Sequence, residues 1–493
     1  MDTKPPVPVV TKQPAIATRT VSQTASDPFF AIDRIHTVRI TLTKEDWDAL
    51  QPKAMAGFLQ MDFEQRPATV EIDGKPVDVR LRFKGNGTYM LSGGFLKRPF
   101  KLEPAAGKAF DLPGKPTKVN LNNNIMDSSG LREAVAYDVF RRLGVPAPRT
   151  AFAKVVLNVP GVADKKTLGL YTVAEQVDDR FLAKHFGKAP TLVLKPEGAI
   201  GMPKRNSWKD IEKMYDPKGK PTAADKRRFQ GFLEFVHDAS DAEFAANVGD
   251  WLDIDAFAKF LAGTVVTSSM DSILVGGHNY YVVLHPTTGK FHFLPWDLDL
   301  AFGGFPLAGA DGVKLSVDQP AIAQEVLIKR FLAVPRCKDR YRAACRQVAD
   351  LMRSSEPLRK RLETVVAPVV KQEDRTAVAG GIPGMGGFPG FGGPARGGAP
   401  DAGGPPPGGG FGGFGGFGGP GRPGVGPGSP NPGAGGPPPG GGFGGGGFFA
   451  VPVPRQGGRP GGPGGPFGLG GPNPFETVAL KQFLQERPKQ VML

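Results

Sequence analysis

The sequence predicts an α+β fold, and three observations predict it. Alternating apolar residues mark paired strands through roughly the first 175 residues. Apolar stripes at helical spacing dominate from about residue 223 to 370, and most of the excess Gly and Pro is massed in one late tract. The strands come early and the helices late, as expected for a sheet-rich part followed by a helical part.

Taken in order, residues 1–30 are rich in Pro, Thr and Ser and are expected to be flexible. Ile35–Leu42 (IHTVRITL) alternates as a strand, and Thr43–Leu50 (TKEDWDAL) reads as a capped helix start. Ala68–Phe83 is a hairpin turning at Asp73-Gly74, and it runs into Lys84-Gly85-Asn86-Gly87. Two glycines bracketing an asparagine let backbone N–H groups approach an anion, as a phosphate cradle requires; an ordinary turn needs the same residues.

Lys97–Leu102 (KRPFKL) is a strand on which Lys101 lies opposite in facing to Phe100 and Leu102. A lysine so placed can reach phosphates, although a solvated strand face explains it equally; Lys84 and Lys97 compete for the role. In Asp127–Gly144, Asp127 or Ser128 caps a helix whose Leu131, Val135, Val139 and Leu143 form one stripe, closed by Gly144. Glu133 near its start is either a partner for a phosphate-binding lysine or a favourable charge at a helix N-terminus.

Thr150–Asn158 and Leu168–Glu175 form a second strand pair. Glu175 and Gln176 then lead through Asp178 into a helix over 179–186, a connection whose backbone could read a nucleotide base. Leu192–Pro196 is a short strand, 200–225 a polar loop, and helices are expected over 223–247, 253–268 and 320–370.

Gly (70 residues) and Pro (50) are concentrated between about 376 and 474, a stretch that cannot offset chain entropy by burial and is expected to be disordered. That tract carries four arginines against one aspartate, so most of the net charge of +14 belongs to the rest of the chain and favours anionic partners. No pattern marks a specific nucleic-acid binder. Cys337 and Cys345 are two helical turns apart, too far to pair, and no Cys/His spacing suggests zinc. The first thirty residues hold no apolar run long enough for a signal peptide or a membrane span, although their composition also suits a linker after a cleavage site.

Chemistry is expected in Ser268–Gly304. Asn279–Leu284 and Lys290–Leu294 read as a hairpin, with Asp271 before the first strand and Asp297 and Asp299 after the second. Chain reversal would gather three carboxylates and the Asn279 amide oxygen into a small volume, a set that like-charge repulsion disfavours unless a hard cation joins it. Magnesium with a phosphate ligand suits such a set. Capping or turn roles are the ordinary alternative for each acid alone.

Eight blocks, two of them within this stretch, occur in a recognisable order. TKEDWDAL, RLRFKGNGTY, KRPFKLE, KVNLNNN with DSSGLREAVAYDVFRRLGVPAPR, GLYTVAEQVDDRFL, WLDIDAFAKFLA, MDSILVGGHNYYVV and PWDLDLAFGG together resemble the spore-coat protein H (CotH-like) kinase family over about residues 33–304 and the last helix. The resemblance implies an atypical protein-kinase-like, two-lobed fold that binds ATP with magnesium and phosphorylates Ser or Thr of a partner protein.

By that resemblance Asp271 is the catalytic or metal-associated acid, and Asp297, Asn279 and Asp299 are the metal side. Lys101, Glu133, Gly85, Asn86, Gly87, Glu175 and Gln176 are assigned to the nucleotide. The implied layout is a kinase domain over 31–375, its lobes meeting near 175, then the tract at 376–474 and a helix over 475–493 packed back on that domain. Two other readings use the same residues: a kinase-like binding or matrix protein of weak turnover, and a metal-dependent phosphohydrolase or nucleotidyltransferase.

Overall fold

The computed structural model describes residues 28–52, 61–93, 95–197, 201–204, 207–275, 277–305, 309–320, 325–373 and 478–491, with backbone alone at 309–311. The tract 376–474, and all of the N-terminal stretch before Pro28, lie outside the described residues.

Seven strands come first: β1 (Ile35–Thr41), β2 (Arg66–Ile72), β3 (Lys75–Phe83), β4 (Phe100–Pro104), β5 (Val119–Asn122), β6 (Thr150–Val159) and β7 (Ala163–Ala174). They close into a barrel in the order β1-β2-β3-β4-β5-β7-β6. Closure depends on β1, which pairs antiparallel with β2 and parallel with β6, Ile35–Thr41 lying against Phe152–Asn158. The period-2 apolar residues fill the interior, with Val38, Val70, Leu81, Phe100 and Leu121 all buried there. At the β2–β3 turn Asp73 and Gly74 both take positive φ (49° and 83°), the conformation that a two-residue hairpin demands.

Three helices fall within this stretch of the chain. α1 (Lys44–Ala49) starts as expected, the Thr43 hydroxyl accepting from the Asp46 N–H. The Gly85-Asn86-Gly87 loop is instead the beginning of α2 (Asn86–Leu91). α3 (Arg132–Arg142) starts later than the Asp127 or Ser128 cap would place it; Asp127 Oδ2 accepts the Arg132 N–H at 2.8 Å from one turn outside the helix. Gly144, at φ 86°, follows its end.

The helical part carries α4 (Asp179–Phe186), α5 (Trp208–Met214), α6 (Ala223–Asp238), α7 (Asp241–Trp251), α8 (Ile254–Val266), α9 (Val326–Ala333), α10 (Pro335–Arg353), α11 (Glu356–Lys371) and α12 (Leu480–Val491). Within it β8 (Val193–Pro196), β9 (Tyr215–Pro217), β10 (Tyr280–Leu284) and β11 (Phe291–Pro295) form a sheet in the order β11-β10-β8-β9. The expected polar loop over 200–225 thus holds a helix and a strand, because Ile211 and Tyr215 bury fully among otherwise charged neighbours. The helix expected over 223–247 breaks at Ala239, where the Ser240 hydroxyl caps α7, and Pro335 opens α10 after a break at Val334.

One apolar cluster binds α3 to α6–α10 and α12. A smaller one, with Val177, Phe181, Tyr281, Leu294 and Trp296, fills the space between α4 and the four-stranded sheet. Cys337 and Cys345 are buried and free on α10. No helix among the described residues is long and apolar enough to cross a membrane.

Candidate active site

The β10–β11 hairpin sets the site. Tyr280 pairs with Pro295 and Leu284 with Phe291, so Asn279 and Trp296 face one another at the open end, where the Trp296 N–H donates to Asn279 O at 3.0 Å. The Asn279 amide nitrogen donates to Asp271 twice, to its backbone oxygen at 2.9 Å and to Oδ2 at 3.1 Å, while His278 Nε2 meets Asp271 Oδ1 at 2.8 Å. That leaves the Asn279 amide oxygen outside these bonds. Asn279 and Asp297 both sit at positive φ (59° and 56°), a conformation costly for residues with a Cβ and one that aims their side chains away from the strand path.

The second acid pair is buried more deeply. Asp299 is buried, and burial followed by the charges of Asp297, Glu133, Asp271 and Asp127 raises its carboxyl well above the usual range. Glu133, fully enclosed on the first turn of α3, is pushed up to about 7 by burial and by Asp297; donation from Asn122 Nδ2 (2.8 and 3.0 Å) and the charge of Lys84 oppose the shift. The Tyr137 hydroxyl, one helical turn on, accepts the Asp297 N–H at 2.9 Å and so fixes α3 against the acid segment.

Facing these acids from the barrel is Lys84. Its ammonium donates to Asn122 Oδ1 and lies 5.9 Å from the centre of the Trp296 ring. Burial lowers its pKa, and Asp297 and Glu133 pull the other way. A chain Lys84–Asn122–Glu133 therefore joins barrel to helix. Lys101 takes a different place. It pairs across strands with Arg82 on one side and Asn120 on the other, one row away from Lys84 and Asn122, and its pKa is lowered to about 7 by burial and by Arg82, Lys118 and Lys84. Lys97 is turned elsewhere, paired with Glu373 just past α11 and set over Tyr171.

The sequence profile of the CotH kinase protein family matches residues 81–376, well over half of the chain. This chain belongs to the CotH kinase family. Among curated relatives, inner spore coat protein H of Bacillus subtilis (strain 168) is 26% identical over 247 residues, 49% of this chain and 64% of that protein, so the match spans just under two thirds of the relative's length. A solved structure described as a Helicobacter pylori proinflammatory kinase, CtkA, aligns over 56% of this chain and 94% of that one at 10% identity and a TM-score of 0.23, too slight a likeness to bear on the fold.

All of the candidate residues lie inside the CotH-matched span. Asp271 and Asn279 touch; Asp297, Asp299 and Glu133 form one electrostatic group with them. Gly85 has φ 70° and precedes α2, and the Asn86 amide oxygen accepts the Met61 N–H at 3.2 Å, so that side chain is already engaged. Glu175 is held by Arg149, whose Nε and backbone N–H both donate to Oε2 (2.9 and 3.1 Å). The Gln176 amide oxygen accepts from Asn120 at 3.3 Å, and its nitrogen donates to Val177 O.

Sequence reasoning passed over Asn122, His278 and Arg132. The run of three asparagines after β5's apolar residues was the available signal for the first.

Among the described residues no three His, Cys, Asp or Glu side chains make a ready-made metal cage. Magnesium needs none: it binds through one or two carboxylates together with substrate phosphates and waters. Burial first, and then the charges of Asp297, Glu133, Asp271 and Asp127, disfavour a charged Asp299, and a divalent ion at Asp297, Asp299 and the Asn279 oxygen would offset this.

Proposed function

We propose that this chain is an ATP- and magnesium-dependent protein kinase of the CotH type, transferring the γ-phosphoryl group to Ser or Thr of a partner protein. In this reading the barrel is one lobe, the helical part is the other, and the nucleotide lies between them. One observation carries it: Lys84, half-buried on the barrel side, stands against Asp297 and Glu133, which form one charged group with Asp299 and Asp271.

Magnesium, when bound, would supply Lewis-acid charge at the terminal phosphates. The chain's own residues do the rest. Lys84, held by Asn122 and near Glu133, orients the phosphates, and this geometry favours it over Lys101 and Lys97. Asp271, aligned by Asn279 and His278, accepts the proton of the Ser or Thr hydroxyl as its oxygen attacks the γ-phosphorus and the bond to the β–γ bridging oxygen breaks. The family membership supports phosphoryl transfer in general.

The test is wild type against Asp297→Ala with ATP and magnesium, followed by mass spectrometry of the protein products. Phosphoserine or phosphothreonine from wild type, reduced at least ~10²-fold in the variant, is expected. Free phosphate alone, or protein-bound AMP, would overturn the kinase reading.

A further inference from the structure

Residues 478–491 follow the glycine/proline tract, yet they contact the backbone on both sides of the acid cluster. Arg487 on α12 is almost wholly buried and, among the described residues, is given no carboxylate partner. Its guanidinium donates to four carbonyls: Val265 (3.2 Å), Val266 (3.3 Å), Val313 (3.0 Å) and Leu315 (2.7 Å). Val265 and Val266 end α8, where a cation is favoured; the Val265 carbonyl also accepts the Ser268 N–H at 3.1 Å, and the chain runs from there to Asp271.

On the other side, Arg132 donates to Ala301 O (3.0 Å), Phe302 O (2.6 Å) and Val478 O (2.5 Å), and its Nε lies 3.3 Å from Asp127 Oδ1. The Val478 N–H reaches Gly303 O at 3.3 Å, Phe302 meets Phe483 edge to face at 5.8 Å, and a Cβ on Gly303 would lie 3.1 Å from Phe483. The two anchored stretches are themselves joined, the Phe302 N–H donating to Thr267 O at 2.6 Å.

We infer that residues 478–491 are a separable positioning element of the active site, with Arg132 and Arg487 as positioning residues that fix the backbone carrying Asp271 and Asp299. The consequence for turnover rests on the kinase reading above; the docking and the backbone ordering do not. If the segment leaves, four carbonyls lose their charged donor and Phe302 loses its ring partner, so the acid segments loosen while the barrel and α3 stay in place. The tether matters for delivery of the segment and not for chemistry.

The experiment uses the full chain with a site-specific protease sequence placed between residues 400 and 440, cut after folding, as wild type and as Arg487→Met. The wild-type fragment should co-elute with the body on gel filtration and keep the uncut rate. The Arg487→Met fragment should separate, leaving a body of native sequence in the contact region. That body should show faster amide exchange across 297–303 and a fall in kcat of about 10²-fold with little change in KM for ATP. A synthetic 475–493 peptide of native sequence should restore both.

Retention of the variant fragment, unchanged exchange after its loss, or failure of the peptide to slow that exchange would each overturn the inference. If no form of the chain transfers phosphate, the kinase reading fails, and the exchange measurement still decides this one.

Discussion

Replacing Glu133 by Gln should stabilise the protein at pH 8 and leave its stability nearly unchanged at pH 4.5. The unfolded chain releases this proton near 4.5 and the folded protein near 7, because burial and Asp297 disfavour the carboxylate. Between those values the folded state binds the proton more tightly than the unfolded state, so this residue's contribution falls as pH rises. Above 7 the full difference applies, about 3 kcal/mol at 1.36 kcal/mol per pH unit. Gln mimics the uncharged form, and its one oxygen keeps one of the two contacts from Asn122, so the charge penalty disappears. Urea denaturation of both proteins at pH 4.5, 6 and 8 in EDTA measures the difference, other titrations cancelling between them. A variant equally or less stable at pH 8, or an advantage independent of pH, would refute an uncompensated carboxylate at this position. The same variant should lose phosphoryl transfer, so stability and activity move in opposite directions.

Other outcomes follow from the same geometry. Lys84→Met should lower kcat/KM for ATP at least ~10²-fold, and Lys101→Met much less, in steady-state assays with varied ATP; the reverse order would return the phosphate role to Lys101. Gly263→Ala should destabilise by about 1–3 kcal/mol despite its better helix propensity, because the new Cβ would sit 2.4 Å from the fully buried Phe140 ring; Phe140→Leu in the same chain should recover part of the loss in thermal unfolding. His292, whose pKa burial lowers from 6.5 to about 4, should make the fold lose up to about 3 kcal/mol as pH falls from 6.5 to 4, since only the unfolded chain takes up that proton; His292→Gln should flatten the profile.

Local patterns were enough for β1, β2, β3, β6, β7, the β10–β11 hairpin and the acids at its open end, because alternation and turn residues act within a few positions of each other. The lysine was not local. Period-2 alternation turns Lys101 out of the barrel correctly, but only the pairing of β3 with β4 and of β4 with β5 puts Lys84, not Lys101, in the row that ends at Glu133. Glu175 reads in sequence as part of a connection whose backbone could read a nucleotide base, whereas Arg149, brought beside it by the β6–β7 pairing, occupies both its oxygens. Arg132 and Arg487 carry no periodic signal of their role, since a buried guanidinium satisfied by carbonyls from distant segments is a property of tertiary packing alone.

The barrel closure through β1 bears on how the chain may be cut. The family match begins at Leu81, within β3, and so leaves out β1, β2 and most of β3. A clone trimmed to that match would strip the hydrogen-bonding partners from β6 on one side and shorten β3 on the other, exposing bare strand edges that invite intermolecular pairing. Soluble expression should therefore require a start upstream of Phe29, whose ring is buried beside His36 at the foot of β1.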